Sequence, residues 1–288
     1  MKILITGYKG QLGTDLVNEI YAKHQQDKIV GLDIGECDLT DGPAVLAFVK
    51  TAKPDAIMHL AAYTAVDKAE SNPLTCFDVN AIGTANIVAA AAEVNAKVLY
   101  ISTDYVFDGT KDGIYLPNDV KNPLSVYGMS KAMGEDAVLK WPKHFIVRTS
   151  WVFGKNGKNF IYTMLKLAAQ GISVNVVNDQ IGSPTYTKHL SVLIDEMIHT
   201  EKYGIYHGTN ENFVTWYQFA QLIFEKGGYD PKSITPIPST MYKTPAKRPL
   251  NSRLSKDCLT EAGFHHLPTV EEALDEFMKE TGTLKEKK

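Results

Sequence analysis

The first 33 residues constrain this chain more than any other stretch. Lys2-Ile3-Leu4-Ile5-Thr6 is a short β-branched apolar run that stops at glycine, the pattern of a buried strand. Gly7-Tyr8-Lys9-Gly10-Gln11-Leu12-Gly13 follows, and residues 14–20 then carry helical periodicity. Strand, glycine loop and helix in that order form the context of a dinucleotide-binding turn. The glycines permit a tight reversal, and backbone N–H groups can approach a pyrophosphate at the positive end of the helix. The spacing is G-x-x-G-x-x-G, and three glycines in seven residues also build ordinary turns. A second strand, residues 28–33, ends in Asp33, 20 residues beyond Gly13. A carboxylate there can meet the adenosine ribose hydroxyls. No basic residue directly follows Asp33, which favours NADH, while Lys9 in the loop could serve NADPH.

The rhythm repeats. Residues 55–62 read as an apolar strand ending in small residues, with His59 a packing residue that lacks a nearby partner. A helix over 78–94 and a strand over 97–103 follow, then a helix over 124–139 and a strand over 144–149. Such alternation predicts an α/β fold with a Rossmann-type, doubly wound parallel sheet. Ligands of these sheets lie beyond the carboxyl ends of the strands, where Thr103 and Asp104 fall. After Trp151 the rhythm loosens into a helix over 160–169, a strand over 173–178 and a helix over 188–199. The last two are allowed to return to the main sheet. The expected division is a dinucleotide-binding domain over 1–150 and a smaller substrate-binding domain over 151–288. Pro231, Pro236, Pro238, Pro245 and Pro249 suggest a lid-like region from about 203 onward, and the charged tail 285–288 reads as a frayed end.

Composition narrows the partners. With 44% hydrophobic residues, 22% charged and a net charge of −3, the chain resembles ordinary globular proteins and argues against nucleic acid or an acidic membrane surface. Cys37, Cys76 and Cys258 are too dispersed for a metal site and read as small packing residues in a reducing compartment. Gly7 interrupts the first apolar run too early for a signal peptide, and no 18-residue apolar span is expected. The working assignment is cytoplasmic, with no membrane.

The chemistry centres on Tyr127 and Lys131, four residues apart on one helix face, with Ser102 and Thr103 at a strand end about 25 residues upstream. A Tyr-x-x-x-Lys pair alone is weak, and Tyr162 with Lys166 supplies a second match. Only the first pair combines with a strand-end hydroxyl and a glycine loop. A phenol of pKa near 10 exchanges protons sluggishly at neutral pH. A neighbouring ammonium and an oxidised nicotinamide would favour the phenolate, so the set predicts proton transfer to a carbonyl oxygen.

These features, with several longer matches, give a resemblance to the extended short-chain dehydrogenase/reductase family. The matches include Ala61-Ala62-Tyr63-Thr64-Ala65-Val66-Asp67-Lys68-Ala69-Glu70, Ser102-Thr103-Asp104-Tyr105-Val106-Phe107 and Arg148-Thr149-Ser150-Trp151-Val152. They continue through Asn178-Asp179-Gln180-Ile181-Gly182-Ser183-Pro184-Thr185 and Pro245-Ala246-Lys247-Arg248-Pro249-Leu250-Asn251-Ser252-Arg253-Leu254. The resemblance implies reduction of the 4-keto group of a dTDP-linked 6-deoxy sugar by NADPH or NADH, a step toward cell-surface polysaccharide. It implies Tyr127 as proton donor, Lys131 as its partner and Thr103 as stabiliser of the developing oxyanion. Cofactor contacts would fall on Gly7, Gly10, Gln11, Leu12, Gly13, Asp33, Asp38, Leu39, Ala61, Ala62, Tyr63 and Ser102, besides Tyr127 and Lys131. Thr103, Asp104 and Trp151 would meet the sugar and Arg248 the diphosphate, where a planar guanidinium suits two phosphates.

Some relatives bind magnesium at a homodimer interface through glutamates. This chain carries Asp15 and Lys188 at the corresponding places, and an ammonium cannot ligate a cation. The resemblance therefore assigns no metal here and leaves the homodimer open. Dehydratases of the family place Asp-Glu after the strand-end threonine, whereas Asp104-Tyr105 stands here, which favours reduction. The alternatives are another sugar-nucleotide epimerase or dehydratase, or a catalytically silent subunit like the regulatory subunit of methionine adenosyltransferase. An intact Thr103, Tyr127 and Lys131 argues against the silent form.

Overall fold

β1 (Lys2–Thr6) forms where expected, with four of its five residues buried. It is an interior strand of a parallel arrangement, in which both its faces must be covered. In a computed structural model describing residues 1–285, α1 (Gln11–Lys23), β2 (Lys28–Leu32), α2 (Gly42–Ala52) and β3 (Ala56–His59) follow in strict alternation. Short helices α3 (Val66–Ala69) and α4 (Pro73–Phe77) lead through a π-helical turn at Asp78–Ile82 into α5 (Gly83–Glu93). Then come β4 (Lys97–Thr103), α6 (Val126–Val138) and β5 (His144–Thr149).

The second half is less regular. It contains β6 (Val152–Phe153), α7 (Phe160–Ala169), β7 (Val174–Val177), β8 (Ile181–Gly182), β9 (Thr185–Tyr186), α8 (Thr187–Ile198) and β10 (Gly204–His207). β11 (Val214–Thr215), α9 (Trp216–Lys226), β12 (Ile234–Ile237), α10 (Asp257–Ala262) and α11 (Val270–Glu280) complete it.

The main sheet has six parallel strands in the order β10-β5-β4-β3-β1-β2. Its order reverses between β1 and β3, so a crevice opens beyond their carboxyl ends. One apolar layer packs Ile3, Ile5, Met58, Leu99 and Phe145 against Leu16 and Ile20 of α1 and Leu190, Leu193 and Ile194 of α8. The opposite face packs Leu4, Ile57, Val98 and Ile146 against α2 and α5. A separate cluster of α7, α9, α11 and β7 residues holds the second lobe together.

Three expectations change. The strand read at 173–178 does not return to the main sheet but pairs with β12, whereas α8 does return and packs on α1. β10, inside the region read as a lid, is the sixth main strand, paired with β5 from Gly204 beside Phe145 to His207 beside Arg148. Its four residues lie between loops, and so short a run carries little periodic signal. Pro73–Glu93 is long and apolar enough to cross a bilayer, contrary to the expectation of no such span; half of it is buried within the fold, as in a core helix. Lys285 is docked through its N–H to the Lys226 carbonyl at 3.0 Å, with its ammonium 4.9 Å from the Tyr229 ring. The rest of the charged tail lies outside the described residues.

Candidate active site

The crevice at the strand ends is a cleft of about 750 Å³. The glycine loop builds one end of it. Gly7 turns at a φ of 68°, and a Cβ there would meet the Ala61 nitrogen at 2.9 Å; at Gly13 it would lie 2.3 Å from the Gly7 carbonyl oxygen. Any larger residue would push the β1–α1 turn away from the β3 loop. Gly10 precedes α1 with no side-chain cap on its N–H groups, so the first turn presents free donors and the positive helix end to the cleft. Gln11, Leu12, Asp33, Asp38, Leu39, Ala61 and Ala62 line the same cleft. The free donors and the missing side chains at the loop suit a dinucleotide pyrophosphate. At the adenosine end Asp33 sits just past β2, and Lys9, offered above for a 2′-phosphate, is paired with Glu36 at 2.7 Å.

His59 is a packing residue as expected, but it has two partners. Its Nδ1 lies 2.7 Å from Thr6 Oγ1 and its Nε2 3.0 Å from Thr84 Oγ1. Thr84 donates its proton to the Asn80 carbonyl, so it accepts from Nε2–H, and Thr6 donates to Nδ1. Burial, followed by the charge of Lys131, holds this imidazole neutral, with its pKa pulled down to about 3. Ala61 N–H donates to Thr6 Oγ1 at 3.1 Å, so the network fixes the β3 loop under the cleft.

The reacting groups stand at the ends of β4 and on α6. Ser125 caps α6 by accepting from Gly128 N–H at 3.1 Å, which sets the first turn and brings Tyr127 and Lys131 into the cleft. Lys131 is 3% exposed. Its ammonium donates to the Ile101 carbonyl at 2.7 Å and lies 4.0 Å over the Tyr100 ring. Burial lowers its pKa to about 7, with Glu135 pulling the other way. The Tyr127 phenol is pushed above its ordinary value, chiefly by burial, while Thr103 pulls it down and Asp104 raises it further. The protein's own groups therefore keep the phenol protonated, whereas the expected shift toward phenolate drew on an oxidised nicotinamide as well as on the lysine.

Thr103 Oγ1 donates to Asp104 Oδ1 at 2.9 Å and accepts Tyr105 N–H at 3.2 Å. Asp104 is also held by the Ser252 hydroxyl. Ser102 lines the cleft, but its hydroxyl is committed to Glu135 at 2.6 Å. The second Tyr-x-x-x-Lys match stands apart: Tyr162 packs in the second-lobe cluster and donates to the Lys155 carbonyl.

Beyond Asp104 a second pocket of about 240 Å³ opens between the lobes, lined by Tyr105, Trp151, Val176, Trp216 and Arg248 among others. Trp151 has a left-handed backbone with φ of 50°, a strained choice for a bulky residue. Its ring stacks on Trp216, centroids 3.7 Å apart and planes 9° apart. Arg248 presents a fork to Asp67, at 3.0 and 2.9 Å, so that carboxylate fixes the guanidinium at the pocket wall.

Sequence reasoning passed over several supports. Asn80, in the π-helical turn, accepts Tyr63 N–H at 2.7 Å and donates to the Tyr63 carbonyl and to Ser130, tying the β3 loop to α6. The buried Arg148–Glu135 pair, with Nε and Nη2 each donating to a carboxylate oxygen at 2.8 Å, lies beneath Ser102. Trp216 and Asp67 are equally invisible as site residues, because long-range packing alone brings them in. A charged pair embedded in two apolar elements was the one available signal. Of the divergent cation position, Lys188 joins Glu276 and Glu280 in ion pairs, and Asp15 accepts from Thr187.

The sheet, its switch-point cleft and the Thr103, Tyr127 and Lys131 cluster define an α/β nucleotide-binding protein of the short-chain dehydrogenase/reductase type. A family model described as the RmlD substrate binding domain matches residues 1–283, and the chain belongs to that family. It is 42% identical over 273 residues to a dTDP-4-dehydrorhamnose reductase of Aggregatibacter actinomycetemcomitans, covering 91% of this chain and 92% of the relative. A crystal structure of a dTDP-4-dehydrorhamnose reductase from Bacillus anthracis in complex with NADP superposes with a TM-score of 0.93 at 39% identity. That match covers 97% of this chain and 99% of the other. A crystal structure of a dTDP-4-dehydrorhamnose reductase from Clostridium acetobutylicum gives a TM-score of 0.94 at 38% identity, covering 98% of this chain and 100% of the other.

Proposed function

We propose that this chain reduces the 4-keto group of dTDP-4-dehydro-6-deoxy-L-mannose to dTDP-L-rhamnose, with NADPH or NADH as reductant. The observation that carries the reading is the placing of Thr103, Tyr127 and Lys131 in one cleft that runs from an open glycine loop to a second, aromatic pocket. The reduced nicotinamide, when bound, supplies the hydride that adds to the carbonyl carbon. Tyr127 gives its phenolic proton to the carbonyl oxygen: the phenol O–H bond breaks as the new alcohol O–H bond forms. Thr103 turns its hydroxyl from Asp104 to the same oxygen and shares the developing charge. Lys131, a buried cation one helical turn away, stabilises the phenolate left behind.

Gly7, Gly10, Gln11, Leu12 and Gly13 hold the pyrophosphate by backbone and helix end. Asp33, Asp38 and Leu39 border the adenosine; Ala61, Ala62, Tyr63 and the backbone of Ser102 border the inner half. Asp104 and Trp151 meet the sugar, the Trp151–Trp216 platform offers a stacking face for a base, and Arg248 takes the diphosphate. Residues 1–150 supply the cofactor side and 151–288 the substrate side, with α8 and β10 serving the first. The three free thiols fit a reducing, cytoplasmic setting.

Elimination, as in a dehydratase, is disfavoured at this site. Among the described residues lining the cleft, Asp33 and Asp38 lie at the adenosine end, and Asp104 is the one carboxylate near Tyr127. It is engaged by Thr103 and Ser252, and Tyr105 packs edge-on against Tyr127 with centroids 5.5 Å apart. The test is loss of NADPH or NADH absorbance on adding the dTDP-linked 4-keto sugar, with dTDP-L-rhamnose recovered as product. Folded protein that consumes neither cofactor overturns the reading.

A further inference from the structure

At the adenosine end of the cleft, four donors converge on carboxylates of their own loop. β2 ends at Leu32, and Asp33 and Ile34 then line the cleft. Glu36 follows in an exposed turn, closed by its N–H on the Asp33 carbonyl at 2.9 Å. Its Oε1 accepts from the Lys9 ammonium at 2.7 Å and from the Tyr8 hydroxyl at 3.3 Å. Its Oε2 accepts from the Asp33 N–H at 2.8 Å. The Ile34 N–H is taken in turn by Asp33 Oδ1 at 2.9 Å. A Cβ at Gly31 would lie 2.6 Å from the Tyr8 ring, so the glycine leaves room for that ring against β2, with its hydroxyl at Glu36. The Lys9 ammonium is 5.0 Å from the centroid of the same ring.

An ammonium, a hydroxyl and a backbone N–H aimed at one point form a donor set that suits a phosphate. Here the anion at that point belongs to the protein. The Lys9 ammonium holds the Glu36 carboxyl below its ordinary range, so the group is a carboxylate at neutral pH. The consequence falls on cofactor choice. A dinucleotide with its pyrophosphate at the glycine loop directs its adenosine ribose to the end of β2. Asp33 Oδ2, which faces the Lys9 N–H at 3.4 Å, remains open to the ribose hydroxyls. A 2′-phosphate carries a charge of about −1.5 to −2 at pH 7 and would need the donors that Glu36 holds. It would also meet Asp33 and Glu36 as like charges. An exposed ion pair is weak in itself, so a phosphate can displace Glu36, at a cost in affinity.

We propose that Glu36 stands in the place of a 2′-phosphate as an internal carboxylate. It makes the chain prefer NADH and masks a latent NADPH site built from Tyr8, Lys9 and the Asp33 N–H. The inference rests on the dinucleotide reading of the cleft. The test is binding rather than turnover: full-length protein is titrated with NADH and with NADPH, followed by cofactor fluorescence at one low salt concentration. The wild type should bind NADH at least about fivefold more tightly than NADPH. Glu36→Gln keeps an acceptor for the Asp33 N–H and removes the charge. It should tighten NADPH about tenfold and leave NADH within about threefold. Adding Lys9→Ala should abolish that gain. Equal or tighter binding of NADPH by the wild type overturns the proposal. So does an NADPH-to-NADH ratio that Glu36→Gln leaves unchanged, or a gain that survives the loss of Lys9. Folded protein that binds neither dinucleotide overturns the cofactor reading itself, and this inference with it.

Discussion

Asp104 shows how one residue can tie a site's chemistry to the stability of the fold. It sits fully buried at the end of β4, where it accepts from Thr103 and Ser252. Burial raises its carboxyl to about 6 from an ordinary 3.8, and the two hydroxyls pull it only partly back. The folded protein thus holds this proton more tightly than the unfolded chain. The associated stability is fully present below about pH 4 and is lost as pH rises through 6. Two pH units correspond to about 3 kcal/mol at most. Relative to Asp104→Asn, the wild type should lose roughly 2–3 kcal/mol of unfolding free energy between pH 4 and pH 7, read from urea denaturation at each pH. A stability gap that does not move between those two conditions contradicts the raised pKa. The sequence flagged Asp104 as a sugar contact, but its burial depends on Ser252, 148 positions away, and no local pattern carries that information.

At the scale of elements, α6 is held to the sheet through β5. Arg148 and Glu135 are almost completely buried and share two hydrogen bonds, and Ser102 of β4 joins the same carboxylate. The position of Lys131, one turn before Glu135, follows from that clamp. Arg148→Met should cost about 3–5 kcal/mol, because the buried Glu135 then loses both guanidinium hydrogen bonds and keeps only Lys121, 3.4 Å away, as a cation. Replacing both, with Glu135→Leu added, should recover most of the loss. The check is denaturant unfolding of the single and double variants; an additive second loss contradicts the account.

Elements with strong periodicity were legible beforehand: α7 was read at its observed limits, and β4 and β5 likewise. β10 and the pairing of β7 with β12 were not, since four-residue strands take their partners from tertiary packing. The glycine loop, Thr103, Tyr127 and Lys131 were legible because their spacing is local. Asn80, Asp67 and Trp216 were not, because each acts across long sequence separations.

Over the whole molecule, a parallel sheet presents the glycine loop and the β4–α6 groups along one crevice, and the second lobe closes it with Trp151, Trp216 and Arg248. The tyrosine stands where the two meet. Its phenol is protonated at working pH, which suits a donor during reduction and gives the account its central claim: the cleft binds, and Tyr127 supplies the proton. The most direct measurement compares NADPH binding and turnover of the dTDP-linked 4-keto sugar in Tyr127→Phe and wild type. The account predicts NADPH affinity within about twofold and turnover at least about a hundredfold lower. Turnover in the phenylalanine variant within about tenfold of wild type would contradict it.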